Sequence, residues 1–79
     1  MGNAQATAFY EVLQERTKQD AKWGQQDHDD FKWLSILAEE FGEIARGLND
    51  GDQENAQEEI IQTAAVCVAW LEARWRRVN

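Results

Sequence analysis

The sequence predicts an all-α fold: a short antiparallel helical bundle of about three main helices, completed by oligomerisation. Apolar residues recur at helical spacing throughout, and no segment alternates as a half-buried strand does. There is no proline, so no helix is interrupted in that way. The 79 residues, taken as one domain over 1–79, can build only a marginal core on their own.

The first helix is predicted over roughly 4–22. Phe9, Val12 and Leu13 form one face of it, with Arg16 as a further candidate. The stretch WGQQDHDD, residues 23–30, then breaks the periodicity with a glycine and short polar residues. It is predicted to be a loop.

The second helix is predicted over roughly 31–48, capped by Asp29 or Asp30, whose short acidic side chains can accept from free helix N–H groups. NDGD, residues 49–52, is predicted to be a tight turn. The third helix is predicted over roughly 52–76, with Asp52 as its cap.

The apolar pattern of the third helix predicts a partner subunit. Between Ile60 and Leu71 only Gln62 and Thr63 are clearly polar, so apolar side chains point in nearly every direction. Two short helices cannot cover such a surface, and we therefore predict a homodimer or tetramer. The alternative is a monomer with a large exposed apolar patch, which soluble proteins usually avoid.

The net charge of −7 argues against nucleic acid or an anionic membrane as a partner. It allows a phosphorylated small substrate if a divalent cation accompanies it. No stretch approaches the length of a membrane span or the pattern of a signal peptide, so we expect a cytoplasmic protein. Cys67 is the only cysteine and is expected to be a small buried hydrophobe.

Two neighbouring stripes run along the second helix when it is drawn at about 100° per residue. The expected main core stripe is Leu34, Leu37, Phe41, Ile44 and Leu48. The stripe beside it is Trp33, Ile36, Glu40, Glu43 and Gly47. Glu40 therefore points into the apolar arc, Glu43 lies one turn further on, and Glu39 is rotated outward toward solvent.

The third helix carries a similar polar pair, Glu59 and Gln62, on a stripe that continues through apolar residues. Antiparallel packing would let this pair face Glu40 and Glu43. Clustered carboxylates raise one another's pKa unless a cation intervenes, and Mg²⁺ or Mn²⁺ suits oxygen ligands. The alternative is that these glutamates are solvated helix faces or pair with lysine and arginine.

Three stretches in this order, KWGQQDH, WLSILAEEFGEIA and EEIIQTAAVCVAWLE, resemble the MazG-like branch of the all-α nucleoside triphosphate pyrophosphatase superfamily. The resemblance covers roughly residues 16–72. That superfamily is marked by E-E-x-x-E on one helix and E-x-x-D on a later helix. The matching positions here are Glu39, Glu40, Glu43, Glu59 and Gln62.

The last of these positions departs from the pattern, because Gln62 stands where the superfamily has aspartate. A glutamine can still offer its carbonyl oxygen as a ligand or hold a water, but it brings no negative charge. The number of cations and the strength of catalysis are therefore open.

The resemblance implies a Mg²⁺-dependent enzyme that cleaves a nucleoside triphosphate to the monophosphate and pyrophosphate. The implied metal ligands are Glu40, Glu43, Glu59 and Gln62, and the implied catalytic residue is Glu39, which would orient the attacking water. The implied substrate-binding residues are His28, Trp23 and Trp33 around the base and Lys22 at the phosphates, with Lys18 and Arg46 as further cations. The alternative for each is an ordinary loop, core or solvated surface residue.

Two other functions stay open. One is a catalytically weak or inactive relative that serves as a nucleotide-binding or regulatory module, which Gln62 favours. The other is an unrelated helical interaction protein in which the glutamates are structural. Trp70 and Trp75 are assigned to packing or to the contact between subunits.

Overall fold

A computed structural model describes residues 2–78, so the predicted domain extends one residue beyond it at each end. The described chain is all helical: α1 is Ala4–Trp23, α2 is Asp30–Asn49 and α3 is Gln53–Val78. The predicted helices are confirmed, with boundaries that differ by one or two residues. No helix in this part of the chain has the length and apolar character needed to cross a membrane.

Short polar side chains begin all three helices. The Asn3 side chain accepts from the Ala6 N–H at 3.1 Å. Asp29 accepts from the Lys32 N–H at 2.9 Å, and Asp52 accepts from the Asn55 N–H at 3.1 Å. Each cap satisfies an N–H that has no partner within its own helix. Of the two candidates for α2, Asp29 is therefore the cap.

The turn between α2 and α3 depends on two glycines. Gly51 has φ +73°, a conformation that side-chain-bearing residues rarely adopt. Gly47 lies in the last turns of α2, where an added Cβ would come within 3.2 Å of the Ala56 backbone nitrogen. The two helices can approach this closely only because Gly47 has no side chain.

The long helix α3 lies between the other two. It packs against both α2 and α1, and no Cα of α1 lies within 8 Å of α2. Because α2 and α3 are joined by a short turn, they run antiparallel. Early residues of α1 lie beside 57–64 and Arg16 beside Glu72, so α1 runs in the same direction as α3. The α1–α2 side of the molecule is consequently an open groove over α3.

The stripe of α2 that packs in the core is not the one predicted as the main core stripe. Leu34, Phe41 and Leu48 are 53%, 64% and 50% exposed. The stripe that carries the glutamates packs against α3 instead. Trp33 is 2% exposed and lies with three small or branched residues of α3, namely Val66, Ala69 and Ala73. Small residues on α3 and Gly47 on α2 allow this close packing, and periodicity alone could not choose between two adjacent apolar stripes.

The apolar residues predicted to share one face of α1 are largely not buried. Phe9 and Leu13 are exposed, whereas Arg16 is buried. Arg16 donates from Nε and Nη2 to both carboxylate oxygens of Glu72, at 2.9 and 2.7 Å, and from Nη2 to Asp20 at 2.9 Å. Hydrogen bonds to these two carboxylates raise the pKa of the Arg16 guanidinium. The ion pair between Arg16 and Glu72 joins α1 to α3.

The loop before α2 is held by the end of α3. Arg76 pairs with Asp27 at 2.8 Å and Arg74 with Asp30 at 2.7 Å. The indole N–H of Trp70 donates to Asp30 at 2.8 Å, which confirms a packing role for this tryptophan. The hydrogen bond from Trp70 and those from the arginines lower the pKa of Asp30. The predicted loop is therefore anchored rather than free.

Candidate functional site

Three of the four predicted metal ligands meet where α2 packs on the first half of α3. One carboxylate oxygen from each of Glu40, Glu43 and Glu59 can be chosen so that all lie within 4.8 Å of one another. Glu40 and Glu59 are half-buried and Glu43 is exposed, so the group opens to solvent on one side. The antiparallel hairpin brings together residues that are separated by 16 to 19 positions in the sequence.

Within residues 2–78 no lysine, arginine or histidine forms an ion pair with this group. The Oε2 atoms of Glu40 and Glu59 are both buried, and neither has a hydrogen-bond partner. Burial raises the pKa of Glu40, a hydrogen bond with Glu59 lowers it, and the charges of Glu43 and Glu39 raise it. Burial raises the pKa of Glu59 to about 7, with Glu43 and Glu40 adding to the shift. Bringing these carboxylates together in ionised form is therefore costly.

Glu15 on α1 belongs to this electrostatic group, although no local pattern in the sequence indicates it. Its negative charge contributes to the raised pKa of Glu40. Together with Gln62 and Lys18 it lines a cleft of about 290 Å³ between α1 and α3. Only the packing of α1 across α3 brings Glu15 near α2, and the sequence contains no short-range signal for that packing.

Gln62 is half-buried on the turn of α3 that follows Glu59. It lines the cleft with Glu15 and Lys18 described above. Glu39 is exposed, as predicted from its outward position on α2. Glu39 therefore acts on the carboxylate group through its charge, whereas Gln62 faces the cleft between α1 and α3.

The predicted base-binding residues lie at the other end of the groove. The rings of His28 and Trp33 meet edge to face, with centroids 4.9 Å apart and an interplanar angle of 65°. The Nε2 atom of His28 and the Nε1 atom of Trp33 are buried, and neither has a hydrogen-bond partner in the described chain. Trp33 precedes Glu40 by seven residues, about 10 Å along the helix axis.

A small cavity of about 120 Å³ lies beside Trp33. Its walls come from all three helices and the loop: Arg16, Gln19, Asp20, Gly24, Gln25, Gln26, Trp33, Ala69, Glu72 and Arg76. Both arginines that line it are already paired, Arg16 with Glu72 and Asp20, and Arg76 with Asp27. The polar side chains of its walls include both hydrogen-bond donors and acceptors.

Lys22 and Trp23 lie at the end of α1 and contact each other. The Lys22 ammonium lies 4.7 Å from the centroid of the Trp23 ring, a cation–π contact. Trp23 is 60% exposed. Both side chains are thus on the surface, near the loop that carries His28.

The carboxylate group fits a hard divalent cation. All its donors are carboxylate oxygens, the ligand type that Mg²⁺ and Mn²⁺ prefer. Glu40 and Glu59 each have a buried oxygen whose hydrogen-bonding capacity is unused within residues 2–78. A bound cation would satisfy these atoms and offset the mutual repulsion that raises the pKa of Glu59.

Comparison with known proteins gives no relative: no family model, curated protein or solved structure matches the chain.

Proposed function

We propose that this protein is a Mg²⁺-dependent nucleoside triphosphate pyrophosphohydrolase that releases the monophosphate and pyrophosphate. The observation that carries the proposal is the convergence of Glu40, Glu43 and Glu59 on one point. These residues come from the two motifs on which the MazG-like resemblance rests. The buried, unpartnered oxygens of Glu40 and Glu59 add a physical reason for a cation there.

Glu40, Glu43 and Glu59 would hold the cation, with Gln62 beside them as a neutral oxygen donor. A divalent ion at this position neutralises phosphate charge and polarises the bond to be cleaved. This neutralisation matters because the protein carries a net charge of −7 and would otherwise repel a polyanionic substrate.

The remaining roles fall to residues along the groove. Glu39, exposed next to the carboxylate group, would orient the attacking water and accept its proton. His28 and Trp33 would bind the base through their unpaired ring nitrogens. Lys22 and Trp23, at the surface near His28, would close over the substrate only if the loop and the end of α1 moved toward the groove.

Pyrophosphate release from a panel of normal and damaged nucleoside triphosphates tests the proposal. We expect turnover with Mg²⁺ or Mn²⁺, none in chelator, and a loss of at least about a hundredfold in Glu43→Gln. Glu54→Gln is the matched control, because Glu54 is an exposed acid in the first turn of α3, outside the carboxylate group. Equal activity in Glu43→Gln and Glu54→Gln would refute the assignment.

Gln62 favours a second candidate function, a nucleotide-binding or regulatory module with weak or no turnover. Because glutamine brings no charge, the site has one anionic ligand fewer than the superfamily pattern. Calorimetric titration with a nucleoside triphosphate and Mg²⁺ separates the two functions. Binding without pyrophosphate release selects the module, whereas release selects the enzyme.

A further inference from the structure

The loop between α1 and α2, residues 24–29, carries His28. Its ends are fixed by the helices: the Gly24 N–H donates to the Asp20 carbonyl at 2.8 Å, and Asp29 caps α2. Between these ends, no backbone–backbone hydrogen bond reaches residues 25–28 from any part of the described chain. The position of the His28 backbone therefore depends on contacts made by side chains.

Two consecutive arginines in the last turn of α3 make these contacts. Nη2 of Arg77 donates to the backbone carbonyl of His28 at 3.1 Å. Nη2 of Arg76 donates to the Gln26 carbonyl at 3.2 Å, and its Nε donates to the Asp27 carboxylate at 2.8 Å. The end of α3 thus binds His28 and the two residues before it.

Arg77 also binds the start of α2, through the same nitrogen. Nη2 donates to Oδ1 of Asp30 at 3.2 Å. Asp30 is the first residue of α2, and Trp33 lies about one turn further along the same helix. Because one nitrogen of Arg77 contacts both the loop and α2, it sets the position of the His28 backbone relative to the helix that carries Trp33.

The contact between the rings of His28 and Trp33 depends on this placement. Trp33 is 2% exposed and packs in the core between α2 and α3, so the position of its ring is restricted. His28 is half-buried, and its ring meets the Trp33 ring edge to face, with 4.9 Å between centroids. An open cleft of about 400 Å³ borders His28, and Arg77 lines it as well. A shift of the loop would therefore separate the two rings and change the shape of this cleft.

We propose that Arg77 is a positioning residue for nucleotide binding, which holds His28 against Trp33 before the nucleobase arrives. The inference rests on the proposed function, because it takes these two rings as the surface that binds the base. Ordering a loop on binding costs free energy, and a loop that is already in place avoids that cost. Arg77 should therefore affect the affinity for the nucleotide and leave the rate of the chemical step almost unchanged.

The placement of His28 can be measured directly, because it is the only histidine in the sequence. Its ring signals in proton NMR are thus unambiguous, and nuclear Overhauser effects between them and the Trp33 ring report the contact without any nucleotide. We expect these effects in the wild type and their loss in Arg77→Ala. Arg77 is exposed, and a single surface contact adds little stability, so this variant should stay folded.

Two variants serve as controls. Arg74→Ala removes the same charge from the same end of α3 and a hydrogen bond of 2.7 Å to the same Asp30, but Arg74 forms no hydrogen bond with the loop in the described chain. It should keep the contact between the rings. Arg77→Lys should keep it too, because one ammonium group can replace the one nitrogen that contacts both His28 and Asp30. Undiminished Overhauser effects in Arg77→Ala, or their equal loss in Arg74→Ala, would overturn the inference.

Kinetics with a nucleoside triphosphate and Mg²⁺ tests the role of Arg77 in binding. Arg77→Ala should raise KM about three- to tenfold, the effect of one hydrogen bond at an exposed site, with kcat within about twofold of wild type. Arg74→Ala and Arg77→Lys should keep KM within about twofold of wild type. An unchanged KM in Arg77→Ala, or a fall in kcat alone, would contradict this role. A wild type without turnover would refute the proposed function, whereas the Overhauser effects, measured without nucleotide, decide separately whether Arg77 positions His28.

Discussion

Glu40 on α2 and Glu59 on α3 each bury one carboxylate oxygen, Oε2, that has no hydrogen-bond partner in the described chain. Their ligand atoms lie within 4.8 Å of each other and of Glu43. The α2–α3 hairpin therefore holds the carboxyl groups of Glu40 and Glu59 close together, where ionisation of Glu59 is unfavourable.

The first prediction concerns pH in the presence of a chelator. The pKa of Glu59 is raised from 4.5 to about 7 in the folded state, so the folded protein binds a proton that the unfolded chain releases earlier. The contribution of Glu59 to the free energy of unfolding should therefore be most favourable below pH 4.5 and should become less favourable as the pH rises to about 7. Melting temperatures of wild type and Glu59→Gln across this range measure the effect.

Glu59→Gln should be the more stable of the two at pH 8 and should show a smaller fall with pH, because the amide cannot ionise. Glu54→Gln serves as the charge-matched control and should keep the wild-type slope. Parallel curves for wild type and Glu59→Gln would show that ionisation of Glu59 does not destabilise the folded protein.

The second prediction concerns added Mg²⁺. A cation that binds only the folded state raises the melting temperature, and Mg²⁺ should do so for wild type at pH 8. Glu43→Gln should lose most of this rise if Glu43 is the exposed third ligand that we propose. Mg²⁺ raising the melting temperature of Glu43→Gln as much as that of wild type would exclude Glu43 as a ligand.

The third prediction concerns the attachment of α1. Glu72→Gln removes the negative charge that accepts hydrogen bonds from Nε and Nη2 of the buried Arg16. The substitution should lower the free energy of unfolding by about 1–3 kcal/mol. Asp27→Asn is the comparison, since it also removes the carboxylate of an arginine pair but lies exposed at the surface. It should cost less. The free energies of unfolding of both variants, measured by urea denaturation, distinguish a buried ion pair from one at the surface.

The fourth prediction concerns the departure from the superfamily pattern. Gln62→Asp should keep or increase the rate of pyrophosphate release, because it restores the missing negative charge beside Glu59. The variant should remain folded, since Gln62 is half-buried beside a solvent-filled cleft rather than in the core. A decrease in rate with normal circular dichroism would place Gln62 outside the ligand set.

The helices and the carboxylate group were predictable because their signals are local. Asp29 and Asp52 mark helix starts, and the short NDGD turn makes α2 and α3 antiparallel, which brings Glu40 and Glu43 opposite Glu59. The resemblance supplied the interpretation of these residues as a metal site.

The packing of whole helices was not predictable in the same way. Phe41 and Trp33 belong to adjacent apolar stripes of α2, and the close approach at Gly47 helps to select the Trp33 stripe. The pairing of Arg16 with Glu72 joins residues 56 positions apart, and no short-range pattern announces it. The approach of Glu15 to Glu40 depends on the same packing of α1, so no short-range pattern predicts it.

Phosphorus NMR of the products formed from a nucleoside triphosphate with Mg²⁺ decides whether the carboxylate group acts as a pyrophosphohydrolase site. We expect equal amounts of nucleoside monophosphate and pyrophosphate from wild type and from Glu54→Gln, and neither product from Glu43→Gln or in chelator. Nucleoside diphosphate with inorganic phosphate, or products unchanged by Glu43→Gln, would contradict it.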